Sequence, residues 1–174
     1  MLRTSRKIML LSVRPAFAQG IVTGSKRVEL RRTRPNIPAD QLAVIYASTP
    51  VKAAVGACMI SHLESGAPTQ IKMRYLSEAE ITEDAFDSYF VNADVAWALH
   101  LQRSVLFEEP VSLERLRGSS VEPVQSWRFL NWRALSTLLS SADLGSLLTL
   151  AGSPVDESRP DEDCRQTGSE ALQR

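Results

Sequence analysis

The residues with the clearest chemical potential lie close together near the N-terminus. Gly24, Lys26, Glu29 and Arg31 sit where a predicted helix gives way to a predicted strand. Side chains alternate between the two faces of a strand, so Glu29 and Arg31 are expected to share one face. A lysine, a carboxylate and a guanidinium on one surface suit the binding of a polar ligand.

A second set of polar candidates consists of Tyr46, Lys52 and Ser126. A lysine near arginines has its charged form disfavoured and can act as a base, and a tyrosine near cations gives up its proton more easily. This chemistry requires the side chains to lie close together. Each residue also has a structural interpretation, with Tyr46 half-buried in a strand and Ser126 as the N-cap of a helix that starts near Trp127.

Other common catalytic patterns find no support. Gly20 and Gly24 imitate a phosphate-binding loop, but three residues separate them instead of four, and the order Ser25-Lys26 is reversed. His62 and His100 lie in or beside apolar strands, which favours structural roles. No metal-ligand spacing and no serine-nucleophile elbow occurs, so we identify no cofactor, and a requirement for a divalent metal is left open.

The composition limits the chain to one core. It has 174 residues, 44% of them hydrophobic, and 20 basic residues balance 20 acidic ones. The charge is segregated, because residues 1–34 hold nine Lys or Arg and one acid, whereas residues 63–94 hold seven acids and two bases. A basic end of this kind favours an anionic partner such as phosphate or RNA.

Periodicity predicts an α+β fold: a small, partly open β-barrel of five to six strands with flanking helices and a C-terminal helical segment. The predicted strands span residues 8–13, 27–31, 42–47, 52–63, 95–101 and 103–107, with Gly56 at a bulge. The predicted helices span residues 15–22, 68–76 and 82–90, one turn covers 112–116, and one or two helices close the fold within 127–150. We predict a domain at 1–132, a helical extension at 133–150 and a disordered tail at 151–174.

Four segments carry a resemblance to a known family. They are SVRPAFAQGIVTGSKRVELRR, LAVIYASTPVKAAVGACMI, EDAFDSYF and PVQSWRFL. Across about residues 8 to 132 the chain resembles the ASCH family, whose domain is a barrel related to the PUA fold. The first two segments are the more specific, and the apolar run 8–13 then corresponds to the first barrel strand instead of a secretory signal.

The resemblance implies RNA binding in a cleft lined by a Gly-x-Lys-x-x-Glu-x-Arg strand, which is Gly24, Lys26, Glu29 and Arg31 in this chain. We expect Arg14 and Arg128 to add basic contacts to single-stranded RNA or a nucleotide. Glu29 could accept a hydrogen bond from an exocyclic amine, and Trp127 could stack on a base.

Two activities also follow from the resemblance. One is ribonuclease action, for which Tyr46, Lys52 and Ser126 are the matching candidates. The other is amide hydrolysis of acetylated cytidine, which uses a lysine, a threonine and a glutamate; Lys26 matches, but Glu29 stands at the threonine position. The predicted function is therefore a ribonuclease on single-stranded RNA, with a non-catalytic base-recognising module as the alternative and the amidohydrolase as a weaker one.

The two cysteines, Cys58 and Cys164, lie far apart and give no disulfide framework. No segment reaches the 18 or so apolar residues of a membrane span. We therefore expect a cytoplasmic protein without a membrane partner, and the sequence does not indicate an oligomeric state.

Overall fold

The computed structural model describes residues 7–130 and 132–152, and the backbone of residues 167 and 168. Six strands form one mixed sheet: β1 (Ile8–Val13), β2 (Val28–Arg31), β3 (Gln41–Ala47), β4 (Ala53–Gly66), β5 (Ala96–Ser112) and β6 (Trp127–Leu130). The helices are α1 (Pro15–Thr23), α2 (Pro68–Tyr75), α3 (Glu83–Tyr89), α4 (Leu113–Gly118), α5 (Trp132–Ser136) and α6 (Ser141–Ala151). No helix of this described part is long and apolar enough to cross a membrane.

The strand order is β2-β5-β4-β3-β1-β6, and the two-residue strand β7 (Thr167–Gly168) pairs with β6. β1 and β3 are parallel, and the other pairs are antiparallel. The sheet does not close, because β2 lies at one edge and β7 at the other. The predicted α+β fold with a partly open barrel is confirmed.

Alternate residues of the central strands pack into two different cores. Leu10 and Val44 join a cluster that includes residues of α4, α5 and α6, whereas Leu11 and Ile45 join a cluster covered by α1. All six residues of β1 are buried, which explains why its sequence, IMLLSV, is apolar without alternation. β1 therefore contributes side chains to both cores.

Local signals for the helices are confirmed. Pro15 occupies the first turn of α1, and Gly24 ends that helix with φ 83°, a left-handed conformation that glycine adopts without strain. The Thr82 side chain accepts a hydrogen bond from the Ala85 backbone N–H at 3.3 Å and caps α3. Ser112 caps α4 in the same way through Arg115.

The structure contradicts two of the secondary-structure predictions. Residues 95–107 do not form two strands, because β5 continues unbroken from Ala96 to Ser112. Arg103, with φ 49°, bends β5 where we expected a connection, and register shifts against β4 absorb the bend. Trp127 does not begin a helix, because residues 127–130 pair with β1 as β6, so Ser126 is not a helix N-cap.

The C-terminal helices belong to the main body of the fold. Leu135, Leu138 and Leu147 share one hydrophobic cluster with residues of β1, β3 and β4. The boundary at residue 132 remains a prediction. Ala151 and Gly152 complete and cap α6, and apart from Thr167–Gly168 the predicted disordered tail lies outside the described residues.

The two histidines form a stacked pair where β4 and β5 meet. Their ring centroids lie 4.2 Å apart, and Tyr75 meets the His100 ring edge-on at 4.9 Å. His100 Nε2 lies 3.7 Å from a Glu64 carboxylate oxygen, too far for a hydrogen bond, and that oxygen accepts from the Tyr75 hydroxyl at 2.5 Å. Burial and the charge of His62 lower the pKa of His100 below its usual value, while Glu64 and Glu78 oppose that shift.

Replacing Gly56 with alanine should destabilise the protein by about 1 to 3 kcal/mol, because overpacking costs that much. The new Cβ would lie 2.3 Å from the Val105 carbonyl oxygen and 2.6 Å from a Val22 methyl group. Chemical unfolding measures the loss. Gly145→Ala is the matched control: nothing lies within 4 Å of its Cβ, and α6 should gain about 0.5 to 1 kcal/mol. Equal effects of the two variants would contradict this packing.

The His100 pKa, followed by NMR titration, should lie below the ordinary histidine value of about 6.5 and rise in a His62→Gln variant, which removes the neighbouring imidazole charge. As the pH falls, His100 therefore binds a proton at a higher pH in the unfolded chain than in the folded chain. Stability should therefore fall as the pH drops below about 6.5, and it should fall less in His100→Gln. A His100 pKa unchanged by His62→Gln would contradict the coupling of the stacked pair.

Candidate functional site

A cleft of about 1050 Å³ opens beside the barrel. We call it the basic cleft, because six of its lining residues are basic and two are acidic. The basic residues are Arg14, Lys26, Arg31, Arg32, Lys52 and Arg117, and the acidic ones are Glu29 and Glu122. The formal charge of the lining is therefore +4. The whole chain, in contrast, has a formal charge of zero.

One wall of the basic cleft is a buried network of three charged side chains. Arg31 Nη2 lies 3.0 Å from Glu29 Oε1, and Lys26 Nζ lies 3.4 Å from Glu29 Oε2. The three side chains are only 2 to 8% exposed. Each carboxylate oxygen of Glu29 therefore has its own cation, which offsets the cost of burying the charge.

The network also joins distant segments of the chain. Arg31 Nη2 donates to the Ser12 carbonyl at 2.9 Å, and Lys26 Nζ donates to the Ala79 carbonyl. Burial lowers the pKa of Lys26, and the Glu29 carboxylate opposes that shift. Arg31 Nε is buried and has no hydrogen-bond partner in the described part of the chain, so the arginine holds more donors than its neighbours satisfy.

Strand periodicity directs this network toward the basic cleft. Val28 and Leu30 pack with residues of α2 and α3, so Glu29 and Arg31 face the opposite side of β2. The predicted shared face of Glu29 and Arg31 is confirmed. The absence of a side chain at Gly20 leaves room for Glu80 to pack against α1, because a Cβ at Gly20 would lie 2.2 Å from a Glu80 carboxylate oxygen.

Tyr46 and Lys52 line the same basic cleft as the network. Tyr46 is 6% exposed, and burial raises its pKa, although the charge of Arg117 opposes the shift. The sequence-based expectation of a readily lost Tyr46 proton is therefore wrong, because desolvation outweighs the nearby cation. Lys52 is exposed at φ 52°, in a left-handed conformation that is uncommon for a residue with a side chain.

The remaining predicted site residues are divided between the basic cleft and its surroundings. Arg14 is exposed and lines the cleft. Ser126 is buried and lies outside the cleft lining, and its carbonyl accepts from the Ser12 backbone N–H at 2.9 Å. Trp127 is 6% exposed and packs in the core against Phe129, so it offers the cleft no stacking surface. Arg128 lies outside the cleft lining and donates to the Glu122 carbonyl at 2.9 Å.

Sequence reasoning missed several cleft residues. Arg117 and Glu122 form a bidentate ion pair, with Nη2 to Oε1 at 2.7 Å and Nε to Oε2 at 2.8 Å. Arg117 is 71 positions from Tyr46 in sequence, so spacing gave no signal that the two would share a cleft. Two aromatic rings, Phe17 and Tyr89, also line the cleft, and the Phe17 centroid lies 4.5 Å from Lys26 Nζ.

The described residues contain no group of three His, Cys, Asp or Glu side chains that could hold a metal ion. Cys58 is a free, buried thiol whose pKa burial raises to about 12, so it is a poor nucleophile near neutral pH. His62 and His100 lie outside the lining of the basic cleft. The chemistry available there comes from lysine, arginine, glutamate and tyrosine side chains.

Comparison with known proteins identifies relatives but no matching family model. A protein of Zymomonas mobilis named ASCH domain-containing ribonuclease is 33% identical over 138 residues, which cover 78% of this chain and 92% of that protein. The crystal structure of ASCH from Zymomonas mobilis matches with a TM-score of 0.73 at 31% identity, covering 78% of this chain and 97% of that one. A serine-to-alanine and a tyrosine-to-phenylalanine variant of the Zymomonas mobilis protein match with the same TM-score at 30% identity. Since this identity extends over nearly the whole relative, the chain belongs to the ASCH family.

Proposed function

We propose that this protein is a ribonuclease that binds single-stranded RNA in the basic cleft and cuts it there. The observation that carries the proposal is the formal charge of +4 on the cleft lining in a chain with no net charge. An RNA strand has one phosphate per nucleotide, and a row of cations attracts it by releasing counterions. The ribonuclease name of the Zymomonas mobilis relative supports the same assignment.

The two groups of polar residues would have different roles, one in recognising a base and the other in cleavage. Glu29, held by Lys26 and Arg31, would accept a hydrogen bond from a base, and a base could stack on the aromatic lining of the cleft. Each member of the buried network is held by at least one partner, which would fix the position of Glu29 for reading a base edge. Arg14 and Lys52 would contact the sugar-phosphate backbone.

Cutting RNA through its 2′-hydroxyl requires a base, an acid and a cation. The 2′-oxygen attacks phosphorus, its proton passes to the base, the bond from phosphorus to the 5′-oxygen breaks, and the acid protonates that oxygen. Tyr46 suits the acid, because its raised pKa keeps the phenol protonated at neutral pH. Lys52 would take the 2′-hydroxyl proton or hold the phosphate, and Ser126 would support the site as a hydrogen-bond donor.

Non-catalytic recognition of a base is the alternative. The buried network of Lys26, Glu29 and Arg31 favours it, because this network alone would supply the polar contacts that base recognition requires. Hydrolysis of acetylated cytidine has less support. The residue at the nucleophile position is Glu29, which has no hydroxyl group and is already paired with two cations.

The cellular location is part of the proposal. A cytoplasmic protein would meet single-stranded RNA and would keep a free thiol such as Cys58 reduced.

Lys52→Ala and Tyr46→Phe should each lower the cleavage rate of labelled single-stranded RNA by about a hundredfold or more, the usual contribution of acid–base catalysis. The assay compares single-stranded with duplex RNA, with and without a chelator. Arg27→Gln is the control, because its side chain is 67% exposed and lies outside the cleft lining.

The assay separates the candidate functions. Cleavage that persists unchanged in both variants would refute the catalytic assignment, and cleavage that disappears as the parent is purified would indicate a contaminant. Binding without cleavage would favour the recognition module. Release of acetate from acetylcytidine would favour the amidohydrolase.

A further inference from the structure

The Arg117–Glu122 ion pair lies in the basic cleft but belongs to neither group of polar residues described above. Its two side chains are more than half exposed, at 57% and 53%, and both line the cleft. Arg117 lies on the exposed side of the short helix α4, and Glu122 belongs to the segment after that helix. We call this pair the latch.

We infer that Glu122 competes with an RNA phosphate for Arg117, so that the latch opens when RNA binds. The inference rests on the proposed RNA-binding function and adds one phosphate-binding residue and its regulation. In the free protein Glu122 holds the guanidinium group. In the complex Arg117 turns to a phosphate in the basic cleft, and Glu122 is released to solvent.

The hydrogen-bonding geometry fits an exchange of partners. Arg117 uses Nε and Nη2 together to bind both carboxylate oxygens, at 2.7 to 3.1 Å. The same guanidinium edge binds a phosphate in the same two-pronged manner. A carboxylate in this position therefore imitates the ligand and keeps the arginine oriented for it.

The energetics also fit an exchange. Exposed ion pairs contribute little to stability, up to about 1 kcal/mol, so a phosphate can displace the carboxylate. Glu122 is itself flanked by a second cation, because the charge of Arg128 adds to that of Arg117 in lowering its pKa. A carboxylate released from Arg117 would therefore keep a favourable neighbour.

Arg117 and Tyr46 line the same cleft, which gives the latch a place in the proposed reaction. The charge of Arg117 acts against the raised pKa of the Tyr46 phenol. A phosphate bound by Arg117 would thus lie in the same cleft as the proposed acid. A side-chain hydrogen bond ties the segment after Glu122 to β1, because the Ser12 hydroxyl donates to the Val124 carbonyl at 2.6 Å.

Binding of a fluorescent 2′-O-methylated single-stranded RNA tests the latch, because this probe keeps every phosphate but has no free 2′-hydroxyl to attack. Arg117→Gln should weaken binding about fivefold and reduce the slope of log affinity against log salt by about 0.7, the value for one phosphate contact on a single strand. Glu122→Gln should tighten binding by up to about fivefold, because it removes the competitor. Glu114→Gln removes an exposed acid of α4 outside the cleft lining and should change binding less than twofold.

The double variant decides between a latch and simple repulsion. If Glu122 acts through Arg117, adding Glu122→Gln to Arg117→Gln should change affinity less than twofold. A full gain from Glu122→Gln in that background would overturn the latch while leaving the proposed function intact, because it would indicate long-range repulsion of RNA. A parent protein that binds no RNA at low salt would overturn both.

Discussion

Two buried cations and one buried carboxylate meet where β2 leaves the turn after α1. Glu29 lies between Lys26 and Arg31, and the two cations extend to carbonyls of two other segments, at Ala79 and Ser12. Removing one member of such a network would leave an uncompensated charge, which costs about 3 to 5 kcal/mol. The network therefore links the first strand, the second strand and the α2–α3 connection, and it fixes one wall of the basic cleft.

The second wall is built differently. Lys52, Arg117 and Glu122 are exposed, and their positions depend on the backbone of the turn at residues 48–52 and on the cap of α4. A rigid buried wall is suited to reading the shape and polarity of a base. An exposed wall with two cations is suited to following a phosphate backbone and exchanging partners with it. Under the proposed function, the cleft would therefore combine two kinds of recognition surface.

Segregation of charge explains how a chain with no net charge acquires a basic site. The many bases of residues 1–34 supply Arg14, Lys26, Arg31 and Arg32 to the cleft, and its two acids are each paired with a cation of the lining. The acids of residues 63–94 largely serve other contacts. Glu64, for example, binds Arg74 and Tyr75, and Asp87 binds Lys72.

Local sequence signals accounted for much of the fold. Strand period predicted the common face of Glu29 and Arg31, and Pro15, Gly24, Thr82 and Ser112 marked helix ends through their backbone and capping preferences. These signals act over a few residues, so they can be read from one chain.

Features that depend on contacts distant in sequence could not be predicted in this way. The segment from Trp127 to Leu130 looked helical, but its pairing with β1 made it a strand and turned Trp127 into the core. The raised pKa of Tyr46 depends on burial by the tertiary structure. The two residues of the latch are close in sequence, but their place in the same cleft as Tyr46 and Lys52 depends on contacts between distant segments.

The most direct test of this account is a crystal structure of the protein bound to a short 2′-O-methylated single-stranded RNA. We expect the RNA to occupy the basic cleft, with a base edge within hydrogen-bonding distance of Glu29 and phosphates beside Lys52 and Arg117. RNA bound on another face, with the basic cleft empty, would contradict the central claim that this cleft is the RNA-binding site.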